Sequence, residues 1–158
     1  MKKNKINYIK SYISKISNKI LENENQKEKI FEIFSVLKKL DKNNVVHVFG
    51  NGGSSSIASH FSMDLTNNSS LKCINHSDPS MITCFSNDYG YEKWISKSLK
   101  FYSEKGDVLV LISCSGNSQN LVNANKFAIK NGLHVVSLTG CKKDNKLNSI
   151  KKNLKLWV

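Results

Sequence analysis

Apolar residues in the first part of the chain recur at helical spacing and predict two amphipathic helices. In each stripe the apolar positions are mostly three or four residues apart, as on one face of a helix. A polar stretch over 22–27 separates the two stripes. We expect a helical hairpin over 1–43 that covers the remaining domain, builds a subunit interface, or does both. The stripes comprise Ile6, Ile9, Ile13, Ile16 and Ile20, and then Ile30, Ile33, Phe34, Leu37 and Leu40.

From Val45 onward, short apolar runs alternate with amphipathic stretches, which predicts strands connected by helices. Apolar runs without alternation fit strands that are buried on both faces of a parallel sheet. Pro79 suits the first turn of a helix, and serines after Gly53 are available to cap another. Repeated strand–helix–strand units then give an α/β fold with a parallel sheet flanked by helices. The predicted strands are 45–49, 71–74, 107–112, 133–138 and 154–158, and the predicted helices are 54–65, 79–85, 91–101 and 121–128, the last closed by Gly132.

The composition fits one globular domain, 1–158, whose α/β core covers 44–158. No apolar run approaches the roughly 18 residues that a membrane span needs. Ile6 onward alternates with polar residues, so we expect neither a secretory signal nor a membrane partner. The four cysteines, Cys73, Cys84, Cys114 and Cys141, form no CxxC pair. We therefore expect reduced, buried thiols in a cytoplasmic protein.

The net charge of +12 does not by itself indicate nucleic-acid binding. All 24 basic residues are lysines, and they are spread along the chain together with 20 asparagines and 14 isoleucines. Nucleic-acid surfaces normally use arginine for its bidentate fork and cluster their charge on one face. We expect no nucleic-acid partner, although the lysines can attract an anionic substrate at long range.

Two turns that follow predicted strands carry the most informative chemistry. They run from Gly50 to Ser56 and from Ser113 to Ser118, and both are rich in Gly, Ser and Asn. Accessible backbone N–H groups and the positive end of a following helix bind anions, most often phosphate. No GxGxxG or GxxxxGK[ST] pattern is present, so we expect a phosphate without a nucleotide. Hydroxyl-rich loops suit a sugar phosphate, and ordinary loop composition is the alternative interpretation.

These turns, with Ser86 to Gly90 and Gly132 to Gly140, resemble the sugar isomerase (SIS) domain family, and more narrowly its phosphoheptose isomerases. The motif from Phe49 to Ser54 reads FGNGGS, and the resemblance covers nearly the whole chain in order. It implies a flavodoxin-like three-layer fold and a cytoplasmic homotetramer. The implied reaction is aldose–ketose isomerisation of sedoheptulose 7-phosphate to D-glycero-D-manno-heptose 7-phosphate through an enediol.

The resemblance also implies a role for each matching residue of the two turns and the 86–90 segment. Cys114 stands where the family usually has threonine. The residues expected to hold the hydroxyls and carbonyl end of the sugar are Asn51, Gly52, Gly53, Asn87 and Asp88. Those expected to bind the phosphate are Ser54, Ser113, Cys114, Ser115 and Ser118.

His60 and Asp64 occupy the family positions of a zinc-binding His and of a Glu that also transfers protons. Their spacing of four residues places both on one helix face, where imidazole and carboxylate can reach one metal ion. Read without the resemblance, His60 could be an interhelical hydrogen-bonding residue and Asp64 a solvated acid. Zinc is the cofactor that the resemblance implies. His47, His76 and His134 have no such partner in the sequence, and we expect them in the core or at its rim.

Two departures from the family bear on activity. Asp64 is one methylene shorter than the family Glu, and a misplacement of about 1 Å can cost on the order of 10²-fold in rate. The resemblance also implies a C-terminal helix whose Gln and His complete the metal site and the proton transfer. The sequence reaches Val158 without them. We therefore expect little isomerase turnover from this chain, and an exposed sheet face unless another subunit covers it.

A non-catalytic role is the competing interpretation. The SIS family includes an assembly protein that associates with the bacterial replication initiator, and sensing domains of helix-turn-helix regulators. No DNA-binding segment precedes the domain, which disfavours the regulator. The assembly protein stays an alternative, because loss of catalytic groups is what it predicts, whereas His60 with Asp64 favours the enzyme.

Overall fold

The computed structural model describes residues 2–21 and 24–157, with side chains for 6–15 and 24–157. Within these residues, five strands form one sheet. The strands are β1 (Val46–Gly50), β2 (Cys73–Asn75), β3 (Val108–Ser113), β4 (His134–Thr139) and β5 (Leu154–Trp157). The helices are α1 (Lys2–Leu21), α2 (Glu24–Lys38), α3 (Gly53–Ser69), α4 (Pro79–Tyr89), α5 (Trp94–Tyr102), α6 (Gln119–Lys130) and α7 (Lys146–Ser149).

The sheet is parallel throughout, and its strand order is β2-β1-β3-β4-β5. This is the flavodoxin-like order, in which the chain reverses direction across the sheet between β1 and β3. The predicted α/β class and its flavodoxin-like arrangement are therefore confirmed. Ligands in such sheets bind beyond the carboxyl ends of the strands at this switch point.

Alternate residues of the central strands supply two separate cores. Val46, Val48 and Val110 face α2 and α3, where Ala58 is also buried. Phe49, Leu109 and Leu111 face α5 and α6, where Trp94, Leu99 and Leu121 are also buried. Because both faces are covered, the strands read as continuous apolar runs. The result is three layers, with the sheet between two layers of helices.

Each predicted strand and helix after Val45 has a counterpart, and the differences lie at the ends. Pro79 opens α4 as predicted, and the carboxylate of Asp78, which was not predicted as a cap, accepts hydrogen bonds from the N–H groups of Ser80 and Met81. The predicted serine cap of α3 is wrong, since Gly52 precedes that helix without a side-chain cap. α6 runs to Lys130 with Asn131 as its C-cap residue, where Gly132 was predicted to close the helix, and Gly132 follows with φ of 79°. The short α7 was not predicted, because four residues are too few to show a helical period.

Among the described side chains of the N-terminal hairpin, those of the second helix cover the domain. Ile33, Val36, Leu37 and Leu40 pack against the core on the α3 side of the sheet. The stripe of α1 instead faces solvent in the single chain, and positions 16 and 20 of that stripe lie outside the described side chains. The exposed apolar residues of the two helices are Ile6, Ile9, Ile13, Ile30, Phe31 and Phe34.

A chain of three buried side chains joins β1, the start of β3 and the segment after β2. The carboxylate of Asp107 lies 3.0 Å from Nε2 of His47, whose Nδ1 lies 3.0 Å from Nε2 of His76. All three are buried: His47 is 0% exposed, His76 7% and Asp107 2%. The expectation of a core position is confirmed for His47 and His76, whereas His134 is exposed. His47 has no acid four residues along the chain, as the sequence shows, and the fold instead brings it Asp107 from 60 residues away.

Protonation of this chain follows from its hydrogen bonds. Burial acts to raise the pKa of Asp107, but bonds from the N–H groups of Glu104 and Val45, and from His47 and Asn44, outweigh it and lower the pKa. An ionised carboxylate only accepts, so Nε2 of His47 donates and its Nδ1 accepts from His76. Burial, followed by the charge that His47 would carry, lowers the pKa of His76 to about 4. Burial also lowers the pKa of His47, which Asp107 only partly offsets.

Two further expectations concern the cysteines and the membrane. Cys73 is half-buried, but Cys84, Cys114 and Cys141 are exposed, so the expectation of buried thiols is wrong for these three. The four side chains are free thiols, as expected. Among the helices in the described ranges, none has the length and apolar character that crossing a bilayer requires.

Candidate functional site

The carboxyl ends of β1 and β3 open into a cavity of about 230 Å³ at the switch point of the sheet. The two strands are direct neighbours, with Gly50 beside Ile112. The turn after β1 therefore comes to lie next to the turn after β3. The cavity brings together six of the predicted site residues, and Ile112 and Cys141 complete its lining. The six are Asn51, Ser54, Ser113, Cys114, Ser115 and Ser118.

The turn after β1 is tight, because α3 starts almost immediately after the strand. A Cβ atom at Gly50 would lie 2.4 Å from the carbonyl oxygen of Ser54, so only glycine fits there. Gly52 has φ of 54°, in the left-handed region that glycine adopts without strain. The turn thus brings Ser54, at the start of α3, to the cavity.

Asn51 is fixed in this turn by a pair of amide hydrogen bonds across the switch point. Its Nδ2 donates to Oδ1 of Asn120 at 3.0 Å, and its Oδ1 accepts from Nδ2 of Asn120 at 2.9 Å. The hydroxyl of Tyr91 donates to the same Oδ1 at 3.1 Å. Nδ2 carries two hydrogens, and Asn120 takes one of them. Asn51 can therefore present the other to a ligand from a fixed position.

The turn after β3 orients its serine hydroxyls through its own backbone. Oγ of Ser113 accepts from the N–H of Gly116 at 3.1 Å, and Oγ of Ser115 accepts from the N–H of Asn117 at 3.2 Å. A hydroxyl that accepts in this way keeps its own proton for an outside acceptor. The side chain of Ser118 precedes α6 without capping it. The turn therefore offers hydroxyl donors beside the N-terminus of a helix.

This arrangement suits a phosphate group. Two helices, α3 and α6, begin at the cavity, and the positive ends of their dipoles favour an anion there. The N–H groups of Ser54 and Ser55 in α3 already donate to the carbonyl oxygens of Asn51 and Gly52, so the dipole is the main contribution of that helix. Serine hydroxyls from both turns add neutral donors, and no carboxylate lines the cavity. Donors without an opposing negative charge favour an anion.

The other predicted site residues do not line this cavity. Gly52 and Gly53 lie in the adjoining turn, exposed to solvent. Asn87 and Asp88 lie in the last turn of α4, where Nδ2 of Asn87 donates to Oδ1 of Asp88 at 3.1 Å. Asp64 is ten residues beyond Ser54 on α3, which is about 15 Å along the helix axis. One chain therefore does not bring the proton-transfer candidate to the phosphate cavity.

His60 and Asp64 form a pair on the exposed face of α3. Nε2 of His60 lies 3.4 Å from Oδ2 of Asp64, and the side chains are 83% and 57% exposed. Catalytic zinc sites normally have three protein ligands. No group of three or more His, Cys, Asp or Glu side chains suited to a metal occurs among residues that the structure describes. The pair by itself does not make a zinc centre.

Sequence reasoning missed three residues that shape the cavity. Asn120 follows the second turn in the chain, but only the fold pairs it with Asn51. Cys141 reaches the cavity from the loop after β4. Nδ2 of Asn145 donates to the carbonyl oxygen of Lys142 at 2.9 Å, and its Oδ1 accepts from the N–H of Asn148, also at 2.9 Å. No local sequence signal marks Asn120 or Cys141, because each acts across strands, whereas Asn145 caps the short helix α7, which was itself not predicted.

Comparison with known proteins agrees with this fold. The sequence model of the SIS domain family matches residues 8–140. Together with the flavodoxin-like sheet and the anion cavity at its switch point, the match defines the class: a SIS domain protein.

Within this class, the relatives are more specific. The chain is 39% identical over 133 residues to the phosphoheptose isomerase of Cytophaga hutchinsonii, covering 80% of this chain and 70% of that protein. It is 36% identical over 143 residues to the phosphoheptose isomerase of Fusobacterium nucleatum, covering 85% and 74%. The solved phosphoheptose isomerase of Neisseria gonorrhoeae superposes with a TM-score of 0.81 at 28% identity, covering 99% and 85%. The chain belongs to the phosphoheptose isomerase family.

Proposed function

We propose that the protein isomerises sedoheptulose 7-phosphate to D-glycero-D-manno-heptose 7-phosphate through an enediol. The observation that carries the proposal is the cavity of about 230 Å³, where two helix N-termini and four serines meet. The similarity to phosphoheptose isomerases supports the choice of a heptose phosphate. An anchored phosphate holds the reacting carbons in place, which is a large part of the catalysis of such a step.

The proposed roles of the polar residues follow from their hydrogen bonds. Ser113, Ser115 and Ser118 donate to the phosphate, together with N–H groups at the start of α6. Asn51 uses its remaining amide hydrogen on a sugar oxygen, and its pairing with Asn120 keeps that hydrogen in place. Asn87 and Asp88 stay proposed contacts of the other sugar hydroxyls.

The phosphate site is tested by calorimetric titration with sedoheptulose 7-phosphate. The Ser115→Ala/Ser118→Ala double variant removes two donors to a charged group, each worth about 1.5–3 kcal/mol. We therefore expect Kd to rise about 100-fold or more. Ser96→Ala is the matched control, because this hydroxyl bonds to the carbonyl oxygen of Lys93 on α5. An unchanged Kd in the double variant would place the phosphate elsewhere.

Asp64 is the proposed base that removes the proton from the carbon beside the carbonyl. The enediol then takes up a proton at the neighbouring carbon, which completes the exchange of aldose and ketose. Asp64→Asn should lower kcat by about 10²–10⁴-fold, the usual contribution of a general base. Asp64→Glu restores the missing methylene and should raise kcat, by up to about 100-fold if the reach is short by about 1 Å.

Binding without turnover would identify the alternative function. In that case sedoheptulose 7-phosphate binds, and its Kd rises in the Ser115→Ala/Ser118→Ala variant, but neither the wild type nor Asp64→Glu turns it over. The chain is then a sugar-phosphate-binding or assembly protein. Turnover that responds to both substitutions at Asp64 in the expected directions supports the enzyme.

Zinc stays a proposal for His60 and Asp64. The two side chains supply two donors 3.4 Å apart, and among its described residues one chain brings no third His, Cys, Asp or Glu to them. No step above depends on the metal. Zinc content of the purified protein, measured for the wild type and for His60→Ala, tests the proposal, with a loss of bound zinc expected in the variant.

We further propose a cytoplasmic homo-oligomer, a tetramer as in the resemblance, with neither nucleic acid nor membrane as a partner. The exposed apolar residues Ile6, Ile9, Ile13, Phe31 and Phe34 support an interface formed by the hairpin. The distance of Asp64 from the cavity supports it as well, since a second copy can supply the pair that one chain holds apart. Light scattering gives the mass, and Ile9→Glu with Phe34→Glu should lower it.

A further inference from the structure

Two cysteines outside any motif lie together at the mouth of the phosphate cavity. Sγ of Cys114 lies 3.2 Å from Sγ of Cys141, although 27 residues separate them in the sequence. Both side chains are exposed, and both line the cavity. A disulfide bond is about 2 Å long, so the two sulfurs need to approach by only about 1 Å.

The backbone already holds these two cysteines at a suitable distance. Cys114 directly follows β3, and Cys141 follows β4 by two residues. The strands are neighbours, with Ser113 beside Thr139, and the N–H of Gly140 donates to the carbonyl oxygen of Cys114 at 3.1 Å. Continuing this register places Cys114 level with Gly140, so Cys141 lies one residue further along. Strands about 4.8 Å apart and an offset of about 3.3 Å together give about 6 Å, within the range of about 4.4–6.8 Å that disulfide-linked Cα atoms adopt.

We propose that Cys114 and Cys141 are a redox pair that a small-molecule disulfide converts to an intramolecular disulfide, and that this bond weakens sugar-phosphate binding. The thiolate of Cys114 attacks one sulfur of the small disulfide and expels one small thiolate. Cys141 then loses its proton and attacks the mixed disulfide, which releases the second small thiolate. Two protein thiols and one small disulfide become one protein disulfide and two small thiols, so two electrons and two protons leave the protein.

The other two cysteines differ from this pair. Burial raises the pKa of Cys73 to about 12, partly offset by the backbone of Ile74, so this thiol stays protonated and unreactive. Cys84 is exposed on α4, where its Sγ lies 3.7 Å from Oδ2 of Asp88. The hydrogen bond and charge of Cys114 raise the pKa of Cys141, so the two thiols do not ionise together and the reaction proceeds in sequence.

The bond affects the site because it changes two parts of the cavity. Cys114 stands at a proposed phosphate-binding position, and its sulfur can no longer donate once it is oxidised. The bond also fixes the loop after β4 to the turn after β3. These segments already share hydrogen bonds, from Leu147 N–H to the Gly116 carbonyl and from Lys146 N–H to Asn117 Oδ1. This effect on binding rests on the proposed function.

The chemistry is tested with glutathione disulfide on the full chain, read by mass spectrometry of the intact protein and of its peptides. In the Cys84→Ser variant, which removes the other exposed thiol, we expect a mass lower by two hydrogens and a peptide linking 114 to 141. Dithiothreitol should reverse the change. Cys141→Ser should form no internal bond and carry at most a glutathione adduct. A missing or different linkage in Cys84→Ser overturns the redox pair.

The effect on binding is tested by titrating sedoheptulose 7-phosphate into each protein before and after oxidation. In Cys84→Ser we expect Kd to rise about tenfold on oxidation, the loss of one modest hydrogen bond. By reciprocity, a saturating sugar phosphate should make the pair about tenfold harder to oxidise. An equal Kd in both states overturns the effect on binding. If reduced protein does not bind at all, the proposed function fails, whereas the mass change still decides whether the bond forms.

Discussion

The buried chain of His76, His47 and Asp107 makes the stability of the fold depend on pH. His76 titrates near pH 6.5 in an unfolded chain, but its pKa in the fold is about 4. Between these values, the unfolded state binds a proton that the folded state does not. The folded state is therefore fully stabilised above about pH 6.5 and loses stability as the pH falls toward about 4.

The size of this loss follows from the shift. A lowering from 6.5 to about 4, at 1.36 kcal/mol for each pKa unit, gives about 3 kcal/mol from His76 alone. His47 adds to the loss in the same direction, because its pKa is also lowered. Asp107 contributes below this window, because its carboxylate has an ordinary pKa of 3.8 and a lower one in the fold.

His76→Gln removes the titrating ring and keeps a nitrogen donor for Nδ1 of His47. The variant loses the ring stacking of His76 on Phe49, His47 and Tyr102, at centroid distances of 5.5, 5.3 and 5.1 Å. Its stability at neutral pH therefore falls as well, and the informative quantity is the change with pH. We expect the wild type to lose about 3 kcal/mol more than the variant between about pH 7 and about pH 4.

Urea unfolding followed by circular dichroism measures these free energies across the pH range. His134→Gln is the matched control, because it removes an exposed histidine from β4 and should keep the full pH dependence of the wild type. An equal pH dependence in wild type and His76→Gln would refute the reasoning, since it would show that His76 protonates equally well in both states.

Three further substitutions test the packing around the site and core by thermal and urea unfolding. Gly116→Ala places a Cβ atom 2.2 Å from Oδ1 of Asn145, at a residue whose φ is 65°, so we expect the free energy of unfolding to fall by more than about 1 kcal/mol. Gly53→Ala is the control and should cost little, because the space around its Cβ is open. Asn145→Ala leaves the N–H of Asn148 without its acceptor and should cost about 1–3 kcal/mol; an unchanged stability would mean that water replaces the side chain. Leu111→Ala opens a cavity in the core beneath α5 and α6 and should cost about 2–5 kcal/mol, and a loss below about 1 kcal/mol would contradict the packing described.

Local pattern was enough to predict the fold class. The apolar runs that became β1, β3 and β4 show no alternation, which is typical of strands covered on both faces. The element ends were less accurate, because caps and strand ends depend on single hydrogen bonds. α4 extends to Tyr89, four residues beyond the predicted helix end, and so includes most of the segment from Ser86 to Gly90.

The meeting of the two predicted turns at one cavity follows in part from the sequence, whereas phosphate binding there stays a prediction. Each of the two turns is one continuous stretch of sequence that combines Gly, Ser and a following helix. Its suitability for an anion can therefore be read from neighbouring residues alone. The separation of Asp64 from the cavity was not predicted. It depends on the length of α3 between Ser54 and Asp64, which becomes important only when one ligand has to contact both residues. The apolar stripe of α1 was likewise predicted from the sequence, but the sequence did not show whether the domain would cover it.

The sequence by itself determined the elements, their α/β order and two turns suited to phosphate, because these depend on neighbours within a few residues. Only the tertiary structure decided which distant groups meet. His47 faces Asp107 across 60 residues, and Cys114 faces Cys141 across 27, because β1 lies beside β3 and β3 beside β4. Spacing along the chain carries no record of strand neighbours, so contacts made across the sheet appear only once the order β2-β1-β3-β4-β5 is known.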